Sequence, residues 1–227
     1  MVKNHLLRIA MPKTWQISRK EYVFVARPNS GSHSLEMGLP LSIILRDLLN
    51  LGRNQREIKY MLNNKEILVD GRRQKEQNFI VGLMDVIHIP EIKKSYRVML
   101  NEKGKLCVVN AYEHNLKICR ITSKKTLKGN KQTIHFHDGK TLIVDGDYNV
   151  SDSVVFEIGK GIKKRLQLKE GATILLIGGK HIGEIGEIVK IIRYKAKDDG
   201  VVVKTKDDEF MTLKKYAFVV GELKLRD

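Results

Sequence analysis

From Tyr96 to the end of this 227-residue chain, apolar residues come in short runs, and a glycine-bearing turn closes run after run. Arg97–Leu100, Leu106–Val109, Lys117–Ile121, Thr133–His137, Thr141–Val144 and Ser153–Glu157 are such runs, punctuated by Lys103-Gly104, Asp138-Gly139 and Asp145-Gly146. Short β-prone runs between turn dipeptides read as strands of an antiparallel sheet. Nothing in this stretch sustains the i, i+3, i+4 spacing of a helix. Residues 93–169 are therefore expected to form a compact all-β domain. After Glu170-Gly171 come Ala172–Ile177, a glycine-rich loop over 178–186, then Glu187–Arg193, Gly200–Thr205 and Glu209–Leu213. A meander of about five short strands predicts a small SH3-like β-barrel over 170–227. No repeat of 20 to 50 residues is present.

Ahead of this β region the pattern differs. Leu41, Ile44, Leu45 and Leu48 lie at helical spacing, with Gly52 in the place of a C-terminal cap. Asn54 can cap a second helix, with Glu57 three residues on as its capping-box partner, and Ile58, Met61 and Leu62 supply the apolar stripe. Ile67-Leu68-Val69 runs into Asp70-Gly71, a dipeptide suited to a tight hairpin turn, and Asp85–Ile89 is a second strand stopped by Pro90. Residues 39–92 thus read as a small domain of two helices and a short sheet. The expected class is α+β multidomain: this unit, the central all-β domain and the C-terminal barrel, preceded by a basic extension over 1–38.

Charge narrows the partners. The chain carries 42 Lys and Arg against 26 Asp and Glu, a formal net charge of +16. Such a surplus repels itself in a compact fold unless a polyanion neutralises it, and nucleic acid is the common one. Twelve Lys or Arg face three acidic residues between Lys93 and Lys140, against eight facing six over 39–89. The central region therefore supplies most of the field. No long amphipathic basic helix and no apolar run near the ~20 residues of a membrane span is present, so membrane attachment is not expected. The N-terminus lacks the apolar core of a secretory signal, Arg8 breaking it. Cys107 and Cys119 are eleven residues apart, too sparse for a disulfide scaffold or a structural zinc site, and read as reduced thiols of a cytoplasmic protein.

The most specific local feature lies at the second helix. Arg53, Arg56 and Lys59 follow at spacing three along its start, on the side away from Ile58 and Leu62, and Arg72 and Arg73 follow the Asp70-Gly71 turn. A helix N-terminus offers free N–H groups, and guanidinium forks match phosphate oxygens. Five basic groups around one helix start and one hairpin point to RNA, against the alternative of a solvated helix face.

Leu39 to Ile89 resembles the S4-type RNA-binding domain, through Gly52, Gln55-Arg56, Leu62, Ile67–Gly71 and Met84–Ile89. The apolar Leu41-Ser42-Ile43-Ile44-Leu45 departs from that domain's polar first-helix start, so contacts from there are not carried over. The glycine-rich loop resembles a KOW motif, with Gly186 at the hallmark position and Lys180 and His181 as its RNA contacts. His5–Trp15, Ala26–His33 and Leu39-Pro40-Leu41 occur in the same order as in one family. The whole chain resembles the archaeal and eukaryotic S4e family of small-subunit ribosomal proteins. That resemblance implies a structural, non-catalytic component of the cytoplasmic ribosome. Its expected partners are small-subunit ribosomal RNA and neighbouring small-subunit proteins, with no cofactor, metal or small-molecule substrate. It implies RNA contacts from Arg8, Lys13, Trp15, Arg27 and His33 of the leader, and from Arg46, Arg53 and Arg56.

Enzymatic readings find little support. No P-loop exists, since residues 178–186 lack the Lys-Ser/Thr ending, and Gly159-Lys160-Gly161 is too short for a dinucleotide fingerprint. His135 and His137 share a strand face, but no third ligand lies near them in sequence. The remaining alternatives are an RNA-modifying enzyme using the two-helix unit as its targeting appendage, and a KOW-type transcription or translation factor.

Overall fold

The computed structural model describes residues 5–194, 198–205 and 208–221. Strands dominate, with two short helices. The chain divides into two compact units. One runs to Met99 and includes Lys105–Lys117; the other holds Leu100–Gly104 and the chain from Ile118 onward.

The first unit opens with β1 (Leu6–Leu7) and β2 (Phe24–Val25), paired antiparallel with Leu6 opposite Val25. The leader is therefore a folded hairpin. Arg19 helps close it by donating to the carbonyls of Ile9 and Met11, 3.0 Å each. β3 (Gly38–Pro40) leads into α1 (Leu41–Ile43), and α2 spans Gln55–Asn64. Strands β4 (Leu68–Val69), β5 (Arg72–Arg73), β6 (Ile80–Gly82), β7 (Val86–Ile89), β8 (Lys94–Leu100) and β9 (Leu106–Asn110) follow. β3 pairs with β6, and the other strands form a sheet ordered β5-β4-β7-β8-β9. Leu41, Ile44, Leu45, Ile58 and Leu62 are fully buried, so the apolar spacing of both helical segments faces the core as expected.

Two details of the helices differ from the sequence reading, each for a physical reason. After one turn, α1 widens into a π-helical turn over Ile44–Leu48, in which the Leu49 N–H reaches the Ile44 carbonyl at 2.9 Å. Asn50, with φ of 52°, then supplies the left-handed residue that Gly52 was expected to provide. Gly52 is needed for room instead, since a Cβ there would come within 2.8 Å of Ile58 Cδ1. At α2 the capping is asymmetric. Asn54 occupies the cap without a side-chain bond, while Glu57 Oε2 accepts the Arg53 N–H at 2.8 Å. The Asp70-Gly71 turn has positive φ at both residues (49° and 75°), the geometry that joins β4 to β5.

A buried ionic network fixes this unit. Lys117 is 1% exposed, and its Nζ lies 2.5 Å from both Asp70 Oδ2 and Asp85 Oδ1. The other Asp85 oxygen accepts the Gly82 N–H at 2.8 Å and meets His33 Nε2 at 2.9 Å, and Asp70 Oδ1 accepts the Val86 N–H at 3.1 Å. Gly82 leaves space for the imidazole, as any Cβ there would overlap the His33 ring. Burial opposes ionisation of Asp85, but the Lys117 ammonium, then His33 and the Gly82 N–H, outweigh it and hold the carboxyl well below the usual range.

In the second unit, β10 (Leu116–Thr126), β11 (Lys131–Phe136), β12 (Thr141–Asp145), β13 (Ser153–Glu157) and β14 (Gly161–Leu166) form a sheet ordered β12-β11-β10-β13-β14. Lys117, near the start of β10, still belongs to the first unit. Cys119, Ile121, Ile134, Phe136, Val154 and Phe156 make the core of this sheet, with the two Phe rings edge to face at 5.0 Å. The remaining strands, β15 (Thr173–Leu176), β16 (Ile185–Ile192), β17 (Gly200–Lys204), β18 (Glu209–Leu213) and β19 (Ala217–Val219), are ordered β18-β17-β16-β15-β19 around Ile174, Leu176, Ile188, Val201, Val203, Ala217 and Val219. Gly186 lies inside β16, not in the preceding loop. A Cβ on it would sit 2.7 Å from Val203 Cγ1 and 2.8 Å from the Lys204 carbonyl. Close strand packing, not a sharp turn, demands that glycine. Arg120 donates to the Lys215 carbonyl at 2.6 Å, and burial pushes its guanidinium down to about 10. Cys107 and Cys119 are reduced thiols, near the Met99 carbonyl (3.6 Å) and the Asp138 carboxylate (3.4 Å) respectively. Among the described residues no helix is long and apolar enough to cross a membrane.

Removing Lys117 strands two buried carboxylates. Lys117→Met is expected to destabilise the protein by ~3–5 kcal/mol, seen as a lowered urea midpoint. The depressed folded pKa of Asp85 contributes stability that is present above about pH 4, the usual carboxylate value, and lost as pH falls through the folded value. The stability gap between wild type and Asp85→Asn is therefore expected to be widest near neutral pH and to narrow in acid, as urea titrations across pH 2–7 would read.

Candidate nucleic-acid interface

The first unit carries an open cleft of about 1500 Å³, bounded by the β1–β2 hairpin on one side and by the turn after α1 and the start of α2 on the other. Tyr22–Arg27 line the first wall. Arg46, Asp47, Asn50–Gln55 and Glu57 line the second, and Ser42 and Asn78 also border it. The π-helical turn places Arg46 and Asp47 here, and the left-handed Asn50 redirects the chain so that Leu51–Asn54 form the rim.

The cleft is mixed in charge. Arg8, Arg27, Arg46 and Arg53 contribute four guanidiniums, and Glu21, Asp47 and Glu57 three carboxylates. Arg46 forks onto the Asp47 carboxylate at 3.0 and 2.8 Å, and that hydrogen bonding raises its already high pKa against the opposing effect of burial. Arg8 is 3% exposed. It donates through Nε to the Ser18 carbonyl, reaches Glu21 at 3.3 Å and lies over the Tyr22 ring at 5.2 Å from its centroid. Arg53 is exposed at the mouth.

The structure gathers Arg8, Arg27, Arg46 and Arg53 into one place. Arg56, Lys59 and Arg72 are exposed outside the lining, as is Arg73, which donates to the Asn63 carbonyl at 3.1 Å. Lys13 is exposed on the leader. Two leader residues lie inward. Trp15 is 1% exposed and donates its indole N–H to the Leu35 carbonyl at 3.3 Å, so its ring offers no face to a ligand. His33, its side chain 2% exposed, is spent on Asp85. Both position the leader and are not carried forward as contacts. In the second unit Lys180 is exposed, and His181 stacks on Phe210 at 3.7 Å while bonding Glu184 at 3.0 Å. His135 bonds the Thr141 hydroxyl at 2.9 Å, and His137 accepts the Arg120 backbone N–H at 3.1 Å. Among the described residues no three His, Cys, Asp or Glu side chains gather as a metal site.

The sequence reading passed over Tyr22 and Phe24, which stand 65% and 57% exposed on the first wall, and over Ser42 and Asn78. The available clue was two aromatic residues, Tyr22 and Phe24, set between Lys20 and Arg27.

Comparison with known proteins gives this geometry its family. The model of "Ribosomal family S4e" matches residues 92–162, and that of the RS4NT domain matches residues 2–36. The small ribosomal subunit protein eS4 of Methanocella arvoryzae is 40% identical over 225 residues, spanning 98% of this chain and 96% of the relative. The chain belongs to the S4e family. The eS4 protein of Methanosphaera stadtmanae is likewise 40% identical, over 97% of this chain and 93% of its own length. Among solved structures, the crystal structure of the 30S ribosomal protein S4e from Thermoplasma acidophilum superposes with a TM-score of 0.71 at 30% identity, covering 82% of this chain and 95% of that one.

The cleft wall is made of exposed side chains. Tyr22→Ala with Phe24→Ala is therefore expected to shift the thermal midpoint by no more than about 2 °C, whereas Trp15→Ala, which empties a core site, costs ~3–5 kcal/mol. Differential scanning calorimetry of the two variants checks the contrast.

Proposed function

We propose that this chain is a structural, non-catalytic constituent of the small ribosomal subunit in the cytoplasm, where it binds small-subunit ribosomal RNA and abuts neighbouring small-subunit proteins. The observation that carries the reading is the arginine-lined cleft of the first unit, in a chain whose full-length relatives bear the name of small ribosomal subunit proteins. Arg27, Arg46 and Arg53 of the cleft and Arg56 and Lys59 outside it are the phosphate contacts, with Lys13, Arg72 and Arg73 extending the surface and Arg8 holding the leader wall in place. Contacts of this type fix position and orientation on folded RNA more than they read sequence.

The finer organisation follows from the same reading. Residues 1–38 are the leader, 39–92 an S4-type RNA-binding domain, 93–169 the central β domain and 170–227 a KOW-type SH3-like barrel, whose 178–186 loop offers Lys180 and His181. The sheet order β18-β17-β16-β15-β19 and the buried Gly186 support the barrel. No cofactor, metal or small-molecule substrate belongs to this function.

The charge-reversed pair Arg53→Glu with Arg56→Glu is expected to weaken binding to small-subunit ribosomal RNA at least tenfold, with an unchanged melting temperature, in filter binding at fixed salt. Unchanged affinity would remove these arginines from the interface. Sedimentation of cell extract through high salt tests the wider claim: one copy per small subunit retained after the wash is expected, and loss to the soluble fraction would favour a visiting factor.

A further inference from the structure

The cleft carries features that phosphate binding leaves unexplained. Ser42 is 4% exposed, and its Oγ has no hydrogen-bond partner among the described residues; the same holds for the buried Asn78 Oδ1. Both residues border the cleft. They are neighbours in the fold, because the Ser42 N–H donates to the carbonyl of Gln77 at 2.9 Å. Buried polar atoms cost stability when left unpaired, so a pair of them at one wall marks a place where a ligand supplies the missing partners.

The opposite wall is aromatic. Phe24 is exposed and touches the His5 ring at 5.7 Å, and Tyr22 is exposed although Arg8 lies over one of its faces. Exposed rings on the leader hairpin, one of them backed by a guanidinium, form the kind of platform on which unpaired bases stack. The carboxylates add a constraint. Glu21, Asp47 and Glu57 repel a phosphate backbone laid along the cleft, but they accept hydrogen bonds from exocyclic amino groups and ring N–H groups of a base. At about 1500 Å³ the cleft exceeds the ~300–1,000 Å³ of a small-molecule pocket, leaving room for a nucleotide and its flanking phosphates.

Resting on the RNA-binding reading above, we propose that the cleft holds a single nucleotide extruded from its RNA helix. The base stacks on the Tyr22 and Phe24 wall, Ser42 and Asn78 read its edge, and Arg27 and Arg53 hold the adjoining phosphates at the mouth. The first unit is then a reader of one unpaired base as well as a clamp on the backbone.

The full-length protein bound to a small-subunit ribosomal RNA transcript is irradiated at 254 nm, and the crosslinked peptide and nucleotide are identified by mass spectrometry. A crosslink from Tyr22 or Phe24 to a nucleotide outside any base pair is expected. Tyr22→Ala with Phe24→Ala should weaken binding to the transcript roughly ten- to hundredfold, by loss of one stacked base. Phe24→Tyr, which keeps the ring, should bind as wild type does, and the melting temperatures of all variants report that they are folded. A crosslink from the cleft to a paired nucleotide, or wild-type affinity in the double alanine variant, would overturn the inference while leaving RNA binding intact. Failure of the wild-type protein to bind the transcript would instead overturn the RNA-binding reading on which it rests.

Discussion

The ammonium of Lys117 organises the first unit. It is placed between Asp70 at the β4–β5 turn and Asp85 ahead of β7, and through Asp85 it reaches His33 of the leader. One cation thus ties together residues 33, 70, 85 and 117, which no local structure relates. Taking an ammonium and two carboxylates out of water costs several kcal/mol per ion, so the net gain over an apolar core is small. What the network does supply is selection among packings. Any shift of β4 against β7, or of the leader against Gly82, leaves a buried charge unpaired. The tight turn at Asp70 and the missing side chain at Gly82 are conditions for the network to close, and both residues follow from it.

The cleft depends on this frame. His33 anchors the leader at its far end, Trp15 anchors it in the middle, and Arg8 and Arg19 close the hairpin between them. The opposite wall owes its position to an irregularity, the π-helical turn that follows α1. One extra residue in a helical turn rotates everything after it, and here it brings Arg46 and Asp47 onto the rim. Regular helix through Ile44–Leu48 would place those side chains elsewhere on the cylinder.

Much of this was legible in the sequence, and what was not has identifiable causes. The strands from Tyr96 onward were readable because turn dipeptides bound them, and the two helical segments because their apolar spacing is regular. β14 escaped because Gly-Ile-Lys-Lys-Arg-Leu lacks alternation, and β3 and β6 because three residues are too few to carry a period. Nothing in the strand run Lys117–Ile121 marks Lys117 as buried; only the fold reveals that its side chain meets two aspartates. Trp15 and His33, expected at the interface by resemblance, are buried because the leader packs against the rest of the first unit, His33 on Asp85 and Gly82 and Trp15 beside Leu106. Gly52 and Gly186 were singled out correctly but for the wrong reason. A sequence shows that a glycine is present, and only packing distinguishes a backbone requirement from a lack of room. Arg53 was singled out from charge and Arg46 only by resemblance, whereas Ser42 and Asn78 leave no trace in sequence, since an unpaired buried hydroxyl or amide is a property of the fold.

The near balance of charge inside the cleft has a bearing on ionic strength. A lysine-rich surface holds a polyanion largely by releasing the cations condensed on it, and that effect fades as salt is added. Four guanidiniums facing three carboxylates displace few such cations. In the proposed base-holding role, stacking and base-edge hydrogen bonds are left, and these respond weakly to salt. On the proposed reading, rising salt would release the outer lysines first and the cleft last, and the grip on RNA would loosen from the periphery inward.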